Sequence, residues 1–459
     1  MIKKWLWMAL LCGFVFLFVV VERGHCGPSI DFGDNGYLQI DVKFQGIGVY
    51  TDYGSGRSGN ADRWDLYLRR ARLTFTGFIN DTWGVKFQTC GGTSDTYQSG
   101  SLGYSLSDAN SKSNSQIRLV DGYLIGLLSD TFNLKVGETK IPLTRANLDE
   151  CFSPLSSERS SFVYSPFGID ATKNSRDMGI VASGNFFENH FKYWAAIMEG
   201  REGESKFYNK FVDQSFRSSP EPESNFEYVL RLHYSFLNPE NSPTAMGYKG
   251  TYLGKKGSVF TIGAAGAIEP KAAFRNTAPA GAQGTPGFLD SIVINGDSVD
   301  YYAYTADAFL EVPVVGGGDW LTATAMYLKV DFDDAYKTAR SVADLNTIVG
   351  GIMGQREGWY AKVGYILPQR IMGKGSFQPF ARYEDWNLAS FSGVNNQNVK
   401  EYGVGLNYYV LGTDKVRFTV EYQHDDFDKR TKLGDFLSQK NNLYYNDTNA
   451  VTLMFMIVL

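Results

Sequence analysis

Apolar and polar residues alternate with a period of two along most of this chain from Gly36 onward, and this alternation limits the fold more than any other feature. Successive side chains of a β-strand point to opposite faces of a sheet, so the alternation predicts strands with one apolar and one polar face. In one clear segment, Leu230 and Leu232 alternate with Arg231 and His233. Because helical periodicity is scarce, the chain is predicted to be all-β.

Alternation alone does not decide which face of a strand meets water. A soluble β-sandwich buries its apolar faces between two sheets, whereas a membrane barrel turns them toward lipid. We predict sixteen strands, which begin near Gly36, Asp65, Thr82, Gln116, Thr131, Asp177, His190, Asn225, Ser258, Val299, Trp320, Trp359, Phe377, Val399, Lys415 and Asn449.

The connections between these strands alternate in length, and this decides between the two folds. Tight turns are predicted at 80–81, 129–130, 188–189, 315–319 and 412–414. Long polar connections are predicted at 91–115, 139–176, 200–224, 270–298, 331–358 and 424–448. Bacterial outer-membrane barrels have short periplasmic turns and long extracellular loops, and a sandwich has no reason to separate the two. We therefore predict a 16-stranded antiparallel transmembrane β-barrel.

Two connections fit this alternation poorly, because 238–257 is long for a periplasmic turn and 389–398 is short for an extracellular loop. An even strand number is usual in single-chain bacterial barrels, and sixteen strands leave a water-filled lumen. Aromatic residues near the predicted strand ends are expected to form girdles at the membrane interfaces; they include Tyr50, Trp83, Trp320 and Trp359.

The first segment of the chain has the order of a secretory signal peptide. Two lysines precede an apolar run at 5–21, and a cleavage site is predicted after Cys26. Residues 1–26 are thus expected to be a cleaved signal peptide, with an uncleaved membrane anchor as the alternative. No later stretch approaches the ~20 apolar residues of a membrane helix. Residues 27–459 are predicted to form a single barrel domain in the outer membrane of a Gram-negative cell.

Charge and motif content exclude several other functions. The formal net charge of -5 offers no basic patch for a nucleic-acid partner. Beyond residue 27 the histidines are His190, His233 and His424, and no HExxH, CxxC or CxxCH spacing occurs. Such spacings are typical of zinc and haem sites. No metal site or cofactor is therefore predicted.

Several segments resemble the phosphate-selective porin O and P family. The matching segments are LYLRRARLTFTGFI at 66–79, VDGYLIGL at 120–127, LKVGETKIPLTRANL at 134–148, FQPFARYEDW at 377–386 and EYGVGLNYYVLGTDKVRFTVEYQHD at 401–425. They occur in family order. The resemblance implies sixteen strands, a homotrimer, and a third extracellular loop at 139–176 that folds inward and narrows the pore. It also implies that Arg69, Arg70 and Arg72 are pore arginines.

The residues expected to line the pore lie on the polar faces of the clearest strands. The basic ones are Arg70, Arg72, Lys86, Lys135, Arg231, Lys362, Arg382 and Arg417. The acidic ones are Asp307, Glu384 and Glu421, and the constriction loop adds Lys140, Arg145 and Arg159. A basic excess in a narrow conduit favours anions. The alternative is that these charges pair with the acids and give little selectivity.

Two cysteines, Cys90 and Cys151, follow the predicted cleavage site. Cys90 ends the third predicted strand at the extracellular rim, and Cys151 lies in the long loop that starts from the same rim. Disulfides persist outside the cytoplasm. A Cys90–Cys151 disulfide would attach this loop to the wall, and two unpaired thiols are the alternative.

The sequence thus predicts an outer-membrane porin rather than an enzyme. It would pass small anionic or neutral hydrophilic solutes and would contact membrane lipid and lipopolysaccharide. An outer-membrane lipase is one rival, but it needs a histidine beside a nucleophile on the lipid-facing rim, whereas His233 is expected to face the lumen. A barrel sheath around a multihaem cytochrome is a second rival, and a secreted sandwich-type adhesin is a third.

Overall fold

The structure is a computed structural model and describes residues 27–33, 35–52, 63–92, 116–148, 152–160, 176–200, 225–240, 248–274, 298–331, 356–368, 375–387, 398–431 and 445–459. Its strands are β1 (Ser29–Gly33), β2 (Gly36–Asp52), β3 (Arg63–Phe78), β4 (Trp83–Gly92), β5 (Gln116–Ser129), β6 (Phe132–Lys140), β7 (Arg176–Phe186), β8 (Phe191–Met198), β9 (Glu227–Ser235), β10 (Val259–Phe274), β11 (Ser298–Pro313), β12 (Trp320–Asp331), β13 (Arg356–Ile366), β14 (Ser376–Asn387), β15 (Asn398–Tyr409), β16 (Val416–Thr431) and β17 (Tyr445–Val458).

Helix is confined to short pieces within these ranges. The α-helix α1 spans Arg145–Leu148, and a single 3-10 turn spans Val410–Gly412. None of the helices in the described ranges has the length and apolar character needed to cross a bilayer.

Strands β2 to β17 form one closed antiparallel barrel. Each strand pairs with the next along the chain, and β17 closes the barrel by pairing with β2 from Asn449↔Asp52 to Val458↔Lys43. The short β1 pairs with the first residues of β2, from Gly33↔Gly36 to Ser29↔Gln39. The predicted 16-stranded barrel is confirmed, and every predicted strand start lies within four residues of the observed one.

The side chains of the barrel are arranged inside out relative to a soluble protein. Along β9, exposed and buried residues alternate without interruption. Leu230 is 51% exposed on the outer face, whereas its neighbour Arg231 is 0% exposed on the inner face. Polar side chains therefore fill the interior and apolar side chains cover the outside, as a lipid environment requires. This arrangement excludes the sandwich.

Aromatic side chains mark the outer surface near both ends of the strands. Trp83 begins β4 at the rim of short turns, and Trp359 lies near the start of β13 at the opposite rim; both are more than two-fifths exposed. The Trp359 ring lies 5.1 Å from that of Tyr383, whose ring is also 5.1 Å from that of Tyr402. Amphipathic rings of this kind belong at a membrane–water interface.

The two rims differ as the sequence predicts. The short-turn rim carries turns such as 79–82, where Asn80 Oδ1 accepts hydrogen bonds from the backbone N–H groups of Thr82 and Trp83 at 3.0 and 2.8 Å. The opposite rim carries the long connections, including the loop at 139–176. The 236–258 connection joins β9 to β10 at the short-turn rim and remains the long exception.

A charged residue introduced on the outer face tests whether that face contacts lipid. Replacing Leu230, near the middle of β9, with arginine should lower the free energy of unfolding in lipid by about 2–4 kcal/mol, because the cation would lie in hydrocarbon. Phe236→Arg, just beyond the end of β9, should cost about 1 kcal/mol or less. Urea unfolding in lipid vesicles measures both changes, and equal costs at the two positions would contradict the assigned membrane depth.

Candidate functional site

The described residues of the 139–176 loop lie inside the barrel. After β6 the chain turns into the lumen, and residues 141–148 and 152–160 are almost entirely buried. The backbone carbonyl of Leu155 accepts a hydrogen bond from the Asn407 side chain at 2.7 Å, on β15. The Ser157 N–H donates to Glu421 on β16 at 2.8 Å. The loop therefore crosses the lumen from β6 to the opposite wall.

Glu158 anchors this loop to the wall formed by β3. Its carboxylate accepts hydrogen bonds from Arg69 at 2.9 Å and from Arg70 at 2.6 and 2.8 Å. Arg70 also donates to Gln45 on β2 at 2.5 Å. Burial alone would raise the pKa of Glu158, but the two guanidinium groups outweigh burial and hold this pKa well below its usual range. The arginines that the family resemblance singles out are thus engaged by the loop.

Arg382 organises the charges of the wall that β13 to β16 form. Its guanidinium lies 2.7 Å from Glu401, 2.8 Å from Glu421 and 3.5 Å from Glu384. The Arg382 side chain lies over Gly403, where an added Cβ would come within 2.7 Å of Arg382 Cγ. All of these charged side chains are nearly unexposed. Arg382 therefore neutralises neighbouring carboxylates in addition to facing the lumen.

Two carboxylates of this wall were missed in the sequence. Glu401 pairs in register with Glu384 on one side and with Asp425 on the other, so three acids form a row across β14, β15 and β16. Glu401 alternates with the apolar Tyr402 and Val404, and that alternation could have identified it. Asp425 was placed in a loop, but β16 continues through Thr431 and Asp425 is 0% exposed.

The neighbouring wall of β9 to β11 contains another buried ion pair. Arg231 on β9 and Asp307 on β11 lie 2.7 Å apart, and both side chains are 0% exposed. Arg231 also donates to the Leu143 carbonyl of the 139–176 loop at 3.2 Å. His233 on β9 is likewise buried and faces the interior, where its Nδ1 is hydrogen-bonded to Tyr248 at 2.8 Å.

Three more of the predicted basic residues, on β16, β13 and β3, contact the loop. Arg417 donates to the Pro154 carbonyl. Lys362 donates to Ser156 Oγ at 2.8 Å. Arg72 lies 5.5 Å from the centre of the Phe152 ring.

The basic residues of the loop itself have different environments. Arg159 donates to the Ala146 carbonyl at 2.8 Å, and Arg145 forms an ion pair with Glu240 at 2.6 Å. Both arginines are buried. Lys140 ends β6 and is half-buried.

Lysines on β2, β4 and β6 face a different sector of the lumen. Lys86 and Lys135 are half-buried, and each lies beside an outward-facing valine, Val85 or Val136, that is more than two-fifths exposed. Tyr123 on β5 lies between them, because it pairs in register with Lys86 and its ring centre is 4.9 Å from Lys135 Nζ. Lys43 was missed in the sequence, although it alternates with the apolar residues of β2 and is also half-buried.

Within the described ranges, thirteen buried carboxylates outnumber eleven buried cations. The buried cations are Arg69, Arg70, Arg72, Arg145, Arg159, Arg176, Lys192, Arg231, Lys362, Arg382 and Arg417. The buried carboxylates are Asp121, Glu158, Asp177, Glu227, Glu240, Glu269, Asp307, Glu311, Asp319, Glu384, Glu401, Glu421 and Asp425. These buried side chains therefore carry no basic excess.

His, Cys, Asp and Glu side chains are the usual ligands of metal ions in proteins. Among the residues that the structure describes, no group of three or more His, Cys, Asp or Glu side chains is arranged to hold a metal ion.

The chain is similar in sequence to known proteins. The model of the phosphate-selective porin O and P family matches residues 40–459. The chain belongs to this family. An uncharacterized protein of Aquifex aeolicus (strain VF5) is 23% identical over 397 residues, which are 84% of this chain and 77% of that protein. The family and the barrel together place the porin in the outer membrane.

Solved structures show the same architecture at low sequence identity. Salmonella typhi OmpF, solved in complex with daunomycin, is similar with a TM-score of 0.51 at 12% identity, covering 94% of this chain and 100% of that chain. An anion-selective porin from Comamonas acidovorans has a TM-score of 0.49 at 11% identity, covering 93% and 100% of the two chains. The OmpF likeness concerns the fold alone.

Removing the loop anchor should destabilise the porin. Glu158→Ala would leave Arg69 and Arg70 buried without their shared carboxylate, and breaking a buried ion pair in this way costs about 3–5 kcal/mol. Glu158→Gln keeps the shape and part of the hydrogen bonding and should cost less. Urea unfolding of the reconstituted barrel measures both variants. A Glu158→Ala barrel as stable as the original would mean that the anchor contributes nothing.

The predicted disulfide can be tested directly. Cys90 is a free, buried thiol in the structure, and Cys151 lies outside the described residues. Phe152, which follows Cys151, packs against Met456 on β17 and lies beneath the guanidinium of Arg72, whose position on β3 pairs in register with Cys90. We expect mass spectrometry of a non-reduced digest to recover a peptide that joins the two cysteines. Recovery of both as free-thiol peptides would leave the loop held by noncovalent contacts alone.

Proposed function

We propose that this porin passes small hydrophilic solutes by passive diffusion, with a mild preference for anions. The observation that supports the preference is the difference between the two halves of the interior. The acids of β14 to β16 are buried beneath the 139–176 loop, whereas Lys86 and Lys135 are half-buried on β4 and β6, across the barrel from those strands. Water-accessible charge influences passing ions more strongly than charge that is buried and paired.

The loop at 139–176 is proposed to narrow the pore. Its described residues cross the lumen and contact β2, β3, β9, β11 and β13 to β17. We therefore place the path along β4 to β6, where Lys86 and Lys135 lie. A narrow path brings an ion close to the wall lysines, and low-dielectric surroundings strengthen their field. A preference for phosphate over other anions follows from the family resemblance and not from a described site.

The rival functions find less support. A sheath around a cytochrome needs a lumen free for its partner, but part of this lumen holds the loop of the chain itself. A lipase needs a histidine on the lipid-facing surface, whereas His233 is buried toward the interior. We further propose that the porin is a homotrimer among outer-membrane lipid and lipopolysaccharide after cleavage of residues 1–26, which lie outside the described residues.

Reversal potentials in planar bilayers with asymmetric salt test the proposed anion preference. The unmodified porin should favour anions mildly, and the double variant Lys86→Glu, Lys135→Glu should shift the reversal potential toward cations, because it inverts charge beside the path. Lys329→Glu is the matched control, since Lys329 lies between the buried Leu328 and Val330 and so faces the outside.

Each possible result of these recordings has a different meaning. A strong cation preference of the unmodified porin would disprove the proposal. An unchanged reversal potential in the double variant would show that Lys86 and Lys135 do not border the path. Arg70 is a poorer target for charge reversal, because a glutamate there would face Glu158 and would disturb the loop as well.

A further inference from the structure

The 236–258 connection belongs to the short-turn rim, yet its described part enters the barrel. Glu240 and Tyr248 are both 0% exposed, and Thr251 is 2% exposed. Residues 241–247 lie outside the described residues. Glu240 and the described residues 248–252 of this unusually long connection therefore lie in the lumen.

One end of this connection is attached to β11. The buried carboxylate of Glu311 accepts hydrogen bonds from Thr251 Oγ1 at 2.8 Å, from the Tyr252 N–H at 2.9 Å and from the Gly254 N–H at 2.9 Å. Lys249 lies 2.5 Å from Asp414, in the turn between β15 and β16. The connection therefore extends from the β11 wall to the β15–β16 turn of the same rim.

The connection also contacts the 139–176 loop, which enters from the other rim. The Gly250 N–H donates to the Ser153 carbonyl at 2.8 Å, and the Tyr248 N–H donates to the Leu148 carbonyl at 3.3 Å. These are backbone contacts between two segments that are separated by about a hundred residues in sequence. They join the extracellular and periplasmic insertions inside the barrel.

A buried ion pair adds a charged contact to this junction. The Arg145 guanidinium donates two hydrogen bonds to Glu240, at 2.9 and 2.6 Å, and lies 4.4 Å from the ring centres of both Tyr248 and Phe309. Tyr252 Oη donates to the same carboxylate at 3.0 Å. Burial would raise the pKa of Glu240, but Arg145 outweighs burial and lowers it to about 2. The pair therefore stays charged at neutral pH.

We propose that the buried residues of the 236–258 connection, Glu240 and 248–252, form the second half of the constriction, and that the Arg145–Glu240 ion pair holds them against the 139–176 loop. Each segment is covalently attached only to its own rim, so contacts between the two decide how much of the lumen they fill together. The proposal rests on the proposed function, because lumen cross-section matters only in a conducting pore. Glu240 is on this view a positioning residue for the path and does not itself contact the solute.

Single-channel recording of the full-length protein tests this role. Glu240→Gln keeps the shape of the side chain and removes its charge, so the two segments should separate and the conductance should rise. Neutral polyethylene glycols of larger size should then enter the pore and reduce the current. Glu269→Gln is the matched control: it removes another buried carboxylate, at the long-loop end of β10, and should leave the conductance unchanged.

A second variant protects the test against misfolding. Arg145→Lys keeps the positive charge but cannot donate both guanidinium hydrogen bonds to Glu240. It should raise the conductance less than Glu240→Gln, and the change in gel mobility on heating confirms that each barrel has formed. If Glu240→Gln does not assemble, Arg145→Lys decides.

The possible results separate the two proposals. Unchanged or lower conductance in the deciding variant, with a conducting unmodified protein, would overturn the role of the ion pair and leave the pore function intact. An unmodified protein that forms no channels would instead overturn the proposed function. A rise in Glu269→Gln equal to that in Glu240→Gln would show that lost charge alone raises the conductance, and would overturn the positional role.

Discussion

In hydrocarbon no water is present to satisfy a backbone N–H or C=O group, so each needs a partner within the protein. Strands β2 to β17 meet this requirement by closing on themselves, since the pairing of β17 with β2 leaves no free edge along the paired residues. Closure also determines the direction in which the side chains point. One face of every strand must contact lipid, and its polar residues must then point inward, as Arg231 does beside the lipid-facing Leu230. The crowded, charged interior follows from the hydrogen-bonding requirement of the wall.

A charge inside this interior needs a partner or water, because burying an unpaired charge is costly. The chain supplies partners from both rims. Glu158 of the 139–176 loop joins Arg69 and Arg70, whereas Glu240 of the 236–258 connection joins Arg145. The charges that would otherwise produce a strong field in the pore are thereby largely used to hold the two insertions. What remains for passing ions is the modest contribution of the half-buried lysines.

Much of the barrel could be predicted from the sequence because the alternation of apolar and polar residues repeats from strand to strand. The alternation of Leu230 with Arg231, and of Glu401 with Tyr402, is a local property of the chain, so strands and their inner faces can be read without knowing the fold. Glu401 and Lys43 were missed although this pattern contains them. Glu158 and Glu240 are different, because they lie in irregular segments where no periodicity assigns a direction to a side chain. Their partners are 88 and 95 residues away in sequence, at Arg70 and Arg145.

The sequence by itself determined the number of strands, the face of each strand that meets lipid, the rim that carries long loops and the membership of a porin family. All of these follow from patterns between neighbours a few residues apart. Only the tertiary structure decided that Glu240 and residues 248–252 lie in the lumen, that Arg70, Arg231 and Arg382 are paired with acids, and that buried acids outnumber buried bases among the described residues. These depend on distances between segments remote in sequence, such as Gly250 and Ser153, which meet only because the closed barrel confines both insertions to one small space.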